Sequence, residues 1–419
     1  MKQLSPLVAV ISAIAFSLTS SAQEKPEASA KPASGNRQPT EKELAGWLKR
    51  FPEADTDKDG KLSLKEAFFY RRNVLGKRPQ KGAPKKFNVD PGWDAESFPP
   101  HAVCYRKPQE IKSLYALPVP SYSKPTDGGL RIVGTGHSFM MPGYRTLPKI
   151  CAAAGFEQPL FTHTGGGITG SARYKWEQEN GIFQFDKNPK PKLLAAISNG
   201  KWDAMTWGPY YNDRPEFYSC WIEFCQETNP NMKFFLSDAW PQLSQLDEIP
   251  KSEDFFTPEV FDQIGAEKNA EYGKLIKQLR ERHPGTEIYT MPTSDSMVLA
   301  AKHYLRGELP GVEGINRIIG KKERSLWKDQ LGHLGPGFDR LEGYVFYATI
   351  YGRSPELIKS EINFGPNLRN FPSPELDRIF RKIAWQAVIN NPLSGVVDEN
   401  RDGMKDEVAV ETTKPKTNG

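Results

Sequence analysis

Five short apolar segments alternate with helical stretches in the last two thirds of this chain, and this alternation restricts the fold more than any other feature. Each segment is rich in β-branched or aromatic residues and has the length of a buried strand. The segments are Leu130–Val133, Pro159–Thr162, Trp202–Trp207, Met232–Leu236 and Glu287–Met291. Helical patterns fill the gaps between them, notably at residues 214–227 and 262–282. Strands that alternate with helices predict a three-layer α/β domain with a parallel sheet, here over residues 129–395.

The segment Asp55–Glu66 has the residue order of an EF-hand calcium loop. Calcium prefers six to eight oxygen ligands, and Gly60 stands where such a loop must turn sharply. The predicted ligands are Asp55, Asp57, Asp59, the backbone carbonyl of Lys61, Ser63 and Glu66. Helical patterns flank the loop, so residues 40–76 are predicted to form a small helix–loop–helix unit with calcium as its cofactor.

A second acidic turn, at Asp398–Gly403, repeats the first half of this pattern. Ala409 stands where the bidentate carboxylate of a calcium loop is required, so one expected ligand is missing. Two readings therefore stay open for this segment, namely a polar turn in the tail and a weak second ion site.

Turns rich in glycine and polar residues follow the predicted strands. Gly136-His137-Ser138 comes after the first strand, a run of glycines ending at Gly167 after the second, and Asn212 after the third. Asp329 and His333 lie far downstream, close to each other in sequence. Ligands bind outside the carboxyl ends of the strands in parallel sheets, so these turns are the expected location of a site.

This ordered set of turns resembles the SGNH (GDSL-like) hydrolase family of esterases over roughly residues 129–390. Its four sequence blocks occur here in the family order. The resemblance implies that Ser138 is the nucleophile, that His333 is its general base, and that Asp329 orients the ring of the base. It also implies an SGNH or flavodoxin-like arrangement of the sheet.

The resemblance further implies an oxyanion hole, in which the backbone N–H of Gly167 or Gly166 joins that of Ser138, with Asn212 as the third donor. The third block is stretched in this chain, because Gly208 and Asn212 are four residues apart and the family has two. The implied reaction is hydrolysis of an ester of modest size. An acyl group linked to a carbohydrate is one substrate of this kind.

The acid and the base also depart from the family spacing. Asp329 precedes His333 by four residues, whereas the family usually has three. Gly332 could absorb the extra residue because glycine tolerates unusual backbone angles; otherwise His333 would lean on a backbone carbonyl. The departure keeps a second hypothesis open, that of a calcium-dependent binding protein with a catalytically inactive hydrolase fold.

The N-terminus has the pattern of a secretory signal peptide. Lys2 supplies a positive charge, an apolar run extends from Leu7 to Leu18, and small residues end at Ala22. This pattern predicts cleavage after Ala22 and a secreted or periplasmic protein. The apolar run is too short to span a membrane comfortably, so no stable membrane span is expected.

Composition suggests how the rest of the chain is organised. Residues 23–39 are predicted to form a flexible linker, 77–128 a Pro-rich extended linker, and 396–419 a polar tail. A net charge of +5 is too mild to indicate a nucleic-acid partner. Four cysteines do not make a disulfide scaffold, and no zinc-binding spacing is present in the sequence.

Overall fold

The computed structural model describes residues 40–64, 66–67, 70, 107–114, 122–164, 173–174, 177–178, 192–208, 215–365 and 371–407. Five of its strands form one parallel sheet in the order β2-β1-β3-β4-β5. They are β1 (Ile132–Gly136), β2 (Leu160–Thr164), β3 (Ala204–Trp207), β4 (Lys233–Ser237) and β5 (Ile288–Met291). The predicted α/β class and parallel sheet are confirmed, and each strand begins within two residues of its predicted start.

The described residues also form helices, most of which connect or cover the strands. They are Glu41–Arg50, Pro108–Leu114, Met141–Ala153, Lys192–Asn199, Pro215–Gln226, Pro258–Arg282, Thr293–Leu305, Arg317–Gly320, Asp339–Tyr351 and Pro374–Asn390. Helix Asp339–Tyr351 packs against both Met141–Ala153 and Pro374–Asn390, whereas Lys192–Asn199 packs against β1 and β2. Every residue of β1 is buried, as expected for a parallel strand that has structure on both of its faces.

Two helices approach each other closely beside the sheet. A Cβ added at Gly143 would lie 2.5 Å from the ring of Phe346, so helix Met141–Ala153 needs a glycine at this contact. The Tyr144 hydroxyl, one residue further on, lies 2.9 Å from the carbonyl oxygen of Thr135 in β1. These contacts fix the start of helix Met141–Ala153 relative to both the sheet and helix Asp339–Tyr351.

A second, two-stranded parallel sheet pairs β6 (Gly314–Asn316) with β7 (Ser325–Trp327). The sequence analysis did not predict it. The chain leaves β7, forms a tight loop, and returns to bridge Trp327 with Leu334. The backbone N–H of Lys328 donates to the carbonyl of His333 at 2.8 Å, so this loop is closed at its base.

The structure differs from the prediction in two segments, the linker 77–128 and the tail 396–419. The segment predicted to be extended, 77–128, contains helix Pro108–Leu114, whose Ile111 is fully buried in the main core. The predicted polar tail begins too early at 396, because Val396 is buried and the N–H of Ser354 donates to the carbonyl of Gly403. Apolar contacts and backbone pairing thus extend the main domain beyond the limits that composition suggested.

The N-terminal unit has a small core of its own. Helix Glu41–Arg50 begins after Thr40, which forms a capping box with Glu43. Its core contains Ala54, Leu62, Ala67 and Tyr70, with Leu44, Trp47, Leu48 and Phe51 packed against them. The predicted signal peptide (1–22) and the linker 23–39 lie outside the described residues.

Candidate active site and acidic loop

Ser138 lies in the turn between β1 and helix Met141–Ala153, and its side chain is exposed. β1 has β2 on one side and β3 on the other, so the strand order reverses at this point. Such a reversal opens a crevice at the carboxyl edge of a parallel sheet, which is where ligands bind. The turn therefore presents an exposed hydroxyl group at the carboxyl edge of the sheet, at the point where the strand order reverses.

Ser138, His333 and Asp329 form a continuous chain of hydrogen bonds. Ser138 Oγ lies 2.7 Å from His333 Nε2, although the two residues are 195 positions apart in sequence. His333 Nδ1 lies 2.8 Å from Asp329 Oδ2. When Nδ1 carries the proton and donates it to the carboxylate, Nε2 is left to accept the serine hydroxyl proton, which is the arrangement a general base requires.

Asp329 is held in place by its own loop. Its Oδ1 accepts the backbone N–H groups of Leu331 at 3.0 Å and His333 at 3.1 Å. The side-chain amide of Asn316 donates to the backbone carbonyl oxygen of Asp329 at 3.1 Å. Burial raises the pKa of Asp329, but the hydrogen bonds and charge of His333 and the N–H of Leu331 outweigh it, so the pKa lies below its ordinary value. The carboxyl group is therefore ionised at neutral pH.

Gly332 accommodates the extra residue between the acid and the base. Its φ is +84°, in the left-handed region that glycine adopts without strain. A Cβ at this position would lie 2.2 Å from the carbonyl oxygen of Pro241, so the packed segment around Pro241 also leaves room for glycine alone. The four-residue spacing consequently does not separate Asp329 from His333.

Two buried aromatic side chains pack around the ring of His333. The centroid of Phe139 lies 5.2 Å away with its ring nearly perpendicular, at 86°. The centroid of Trp240 lies 6.2 Å away. The two aromatic rings also contact each other, with centroids 4.5 Å apart. Phe139 and Trp240 thus limit the rotation of the imidazole from the protein side, while Ser138 stays open to solvent.

A buried carboxyl group, Glu342, lies behind the helix that follows Ser138. Its Oε1 accepts the backbone N–H of Gly143 at 3.1 Å, and the residue is 2% exposed. Sequence reasoning missed Glu342, Trp240 and Asn316. The signal for Glu342 was slight, since it is one of two acidic residues in the first turn of helix Asp339–Tyr351, where acidic residues are common.

Two histidines near the ends of β1 and β2, His137 and His163, have partners other than Ser138. Gly167 and Asn212 lie outside the described residues. His137 is buried, and its Nδ1 accepts the N–H of Phe139 at 3.4 Å. His163 pairs with the fully buried Glu177, which also accepts the first N–H groups of helix Lys192–Asn199. His163 therefore belongs to a polar contact that Glu177 makes with the start of helix Lys192–Asn199.

Asp55, Asp57 and Asp59 converge in the acidic loop, and each brings one carboxylate oxygen within 4.8 Å of the others. The N–H of Gly60 donates to Asp55 at 2.9 Å, and Gly60 has a φ of +82°. The N–H of Asp59 lowers the pKa of Asp57, but desolvation and the charges of Asp59 and Glu66 outweigh it and raise that pKa. The loop thus gathers negative charge that a cation would relieve.

Glu66 closes this loop. One of its carboxylate oxygens accepts the N–H of Thr56 at 2.6 Å and the other accepts the N–H of Ser63 at 3.0 Å. Burial raises the pKa of Glu66, but these hydrogen bonds outweigh it and the pKa is lowered. The ionised carboxylate of Glu66, the last residue of the loop, therefore joins the start of the loop to its end.

The C-terminal turn has the same local geometry. Asp398 accepts the N–H groups of Asp402 at 3.1 Å and Gly403 at 3.2 Å, and Gly403 has a φ of +82°. In contrast to the first loop, Asp398 also accepts the indole N–H of Trp385 at 3.0 Å. Ala409 lies outside the described residues.

Comparison of the chain with protein-family models, with curated proteins and with solved structures gives no match. Within the part of the chain that the structure describes, no helix combines the length and the apolar character needed to cross a membrane.

Proposed function

We propose that this chain is an exported serine esterase with an SGNH-like, three-layer α/β domain. The observation that carries the proposal is the hydrogen-bond chain from Ser138 through His333 to Asp329, with distances of 2.7 and 2.8 Å. Three further features support it: the nucleophile is exposed, the acid is ionised, and the base packs against two aromatic rings.

In the proposed reaction, Ser138 Oγ attacks the carbonyl carbon of the ester while His333 Nε2 takes the hydroxyl proton. The imidazolium that forms is stabilised by the Asp329 carboxylate. The C–O bond to the alcohol then breaks, and His333 gives its proton to the leaving oxygen. A water molecule releases the acyl group by the same route, which yields the acid and regenerates the serine.

The substrate class and the oxyanion donors rest on the family resemblance. The proposed donors are the N–H groups of Ser138 and Gly167 and the side chain of Asn212. The proposed substrate is an ester of modest size, with carbohydrate-linked acyl groups among the compounds to be tried. Export is proposed from the signal-like N-terminus, residues 1–22.

A fluorophosphonate probe, which becomes attached to an activated serine oxygen, tests the proposal. Wild-type protein should be labelled and should hydrolyse p-nitrophenyl acetate, and Ser138→Ala should abolish labelling and lower turnover about 10⁴-fold or more. Labelling elsewhere, or turnover that survives Ser138→Ala, would contradict the mechanism. Absence of labelling at every pH would favour the alternative, a binding protein with an inactive hydrolase fold.

Ser219 provides a matched control for this experiment. Its Oγ lies 2.9 Å from His283 Nε2, so the chain contains a second serine–histidine contact. Ser219 is only 1% exposed, and burial and the charge of Arg282 lower the pKa of His283 to about 4. A substrate cannot reach this serine, so Ser219→Ala should leave labelling and turnover unchanged.

We also propose that the acidic loop binds calcium in a structural role. Asp55, Asp57, Asp59, Ser63 and Glu66 would supply carboxylate or hydroxyl oxygens, and Lys61 its backbone carbonyl. The convergence of three carboxylates on one point, with the sharp turn at Gly60, supports this assignment. A bound cation would neutralise the loop and fix helix Glu41–Arg50 relative to the helix that the sequence predicts after the loop.

A further inference from the structure

Glu342 connects two parts of the proposed catalytic site from inside the protein. It belongs to helix Asp339–Tyr351, which packs directly against helix Met141–Ala153. Its Oε1 accepts the N–H of Gly143 at 3.1 Å. Gly143 is in the first turn of its helix, where backbone N–H groups have no partner within the helix. Glu342 therefore supplies an acceptor that the helix following Ser138 cannot provide for itself.

The second connection runs through Trp240. The indole N–H of Trp240 lies close enough to the Glu342 carboxyl to lower its pKa as a hydrogen-bond donor, although Oε2 makes no hydrogen bond of full geometry. Trp240 is 1% exposed and packs against both Phe139 and His333. One carboxyl group thus accepts a hydrogen bond from the helix that follows the nucleophile, and its pKa responds to the indole that supports the base.

The environment of Glu342 favours the neutral form of its carboxyl group. Complete burial raises its pKa well above the ordinary value, and the charge of Asp339 raises it further. The N–H of Gly143, the indole of Trp240 and the charge of Arg145 act in the opposite direction and do not cancel the effect of burial. A neutral acid can be replaced by glutamine with little change in shape or hydrogen-bonding capacity.

We propose that Glu342 is a positioning residue for the esterase site, which holds Ser138 and His333 in register by tying the helix of the nucleophile to the indole behind the base. This inference rests on the proposed function. Glu342 touches no reacting atom, so its effect is exerted through the distance between Ser138 Oγ and His333 Nε2. A misplacement of about 1 Å in such a pair can cost about 10²-fold in rate.

The experiment measures the second-order rate constant for fluorophosphonate labelling of Ser138, together with kcat and KM for p-nitrophenyl acetate. Glu342→Leu keeps the volume and removes the acceptor, and should lower labelling and kcat about 10- to 100-fold with little change in KM. Glu342→Gln should restore both to within about threefold of wild type. Rescue by glutamine separates positioning by a hydrogen bond from a requirement for charge.

Asp377→Asn is the matched control. Asp377 is another buried carboxylate that contacts helix Asp339–Tyr351, through Arg340 and Tyr344, and it also pairs with Arg381. Its replacement should lower thermal stability, while labelling of the folded protein stays at the wild-type rate. If Glu342→Leu is labelled as fast as Asp377→Asn, the carboxyl group of Glu342 has no special effect on the site. This result would overturn the inference and leave the proposed function intact. Failure of wild-type protein to label at all would overturn both.

Trp240→Phe answers the same question if Glu342→Leu does not fold. This variant keeps an aromatic ring against His333 but removes the indole N–H. Slower labelling with an unchanged KM would support the link through Glu342. A wild-type labelling rate in a folded Trp240→Phe protein would overturn it.

Discussion

Gly332→Ala is the sharpest test of how the loop between the acid and the base is built. Two separate costs arise at this position. The first is conformational, because Gly332 has a φ of +84° and an L-residue pays about 1–2 kcal/mol in the left-handed region. The second is steric, because the new Cβ would lie 2.2 Å from the carbonyl oxygen of Pro241 and 3.2 Å from its carbon. Both atoms belong to the backbone and cannot move aside as a side chain would.

Gly285→Ala isolates the first cost. Gly285 has a φ of +82°, nearly that of Gly332, but nothing lies within 4 Å of the position its Cβ would take. We expect Gly285→Ala to lower the free energy of unfolding by about 1–2 kcal/mol. Gly332→Ala should lower it by about 1–3 kcal/mol more, the typical cost of forcing an extra carbon into a packed site.

The steric cost should also be visible in the reaction. The overlap is relieved when the loop moves away from Pro241, and this movement carries His333 with it. We expect labelling of Ser138 by fluorophosphonate to slow by about 10²-fold in Gly332→Ala and to stay unchanged in Gly285→Ala. Thermal unfolding of the two variants, measured side by side, gives the difference in stability. Labelling at a temperature below both unfolding transitions, where both variants are folded, gives the difference in rate. Equal stability of the two variants, or full reactivity of Gly332→Ala, would refute this account of the loop.

Three further predictions follow from the carboxyl groups. Asp329→Asn keeps an acceptor for the N–H groups of the loop but loses the ionised partner of His333, so turnover should fall about 10⁴-fold with little loss of stability. Asp329→Ala removes the acceptor as well, so both turnover and stability should fall. Assays with p-nitrophenyl acetate measure the turnover, and thermal unfolding measures the stability. Glu66→Gln should weaken calcium binding in titration calorimetry from an expected Kd of about 10⁻⁴–10⁻³ M and leave ester turnover largely intact. A large loss of turnover in folded Glu66→Gln protein would show that loop and active site are coupled. The pKa of Glu342 is raised on folding, so wild-type stability should fall as pH rises above about 4.5, and Glu342→Gln should flatten this fall in unfolding curves taken from pH 4 to 8.

The main sheet was predictable because its signal is local. A buried parallel strand such as β1 is apolar and short, and the glycine-rich turn that ends it is visible in the sequence. The segment leading to the base was not predictable in this way. β6 and β7 have three residues each, too few for a periodic pattern, yet β7 leads directly into Asp329 and β6 supplies the amide of Asn316 that holds it.

The residues that support the site were hidden for a different reason. Trp240 and Glu342 are 102 positions apart in sequence, counting from 240 to 342, and nothing local to either residue indicates that they meet. Each is ordinary by itself, since one is an aromatic residue after a strand and the other an acid on a helix. Glu342 reaches Gly143 because helices Met141–Ala153 and Asp339–Tyr351 pack closely, which is a property of the tertiary structure.

The spacing of Asp329 and His333 shows how a departure from a motif can keep its geometry. The two carboxylate oxygens of Asp329 have separate partners. Oδ1 accepts the backbone N–H groups of Leu331 and His333, and Oδ2 lies 2.8 Å from Nδ1 of the His333 imidazole. The first oxygen orients the carboxylate by closing the loop on itself, so the second is aimed at the ring before any substrate arrives. A loop closed in this way needs one residue with a positive φ between its ends, and Gly332 supplies it. The extra residue is therefore part of how the acid is oriented, and the length of the motif matters less than the backbone conformation that the loop can adopt.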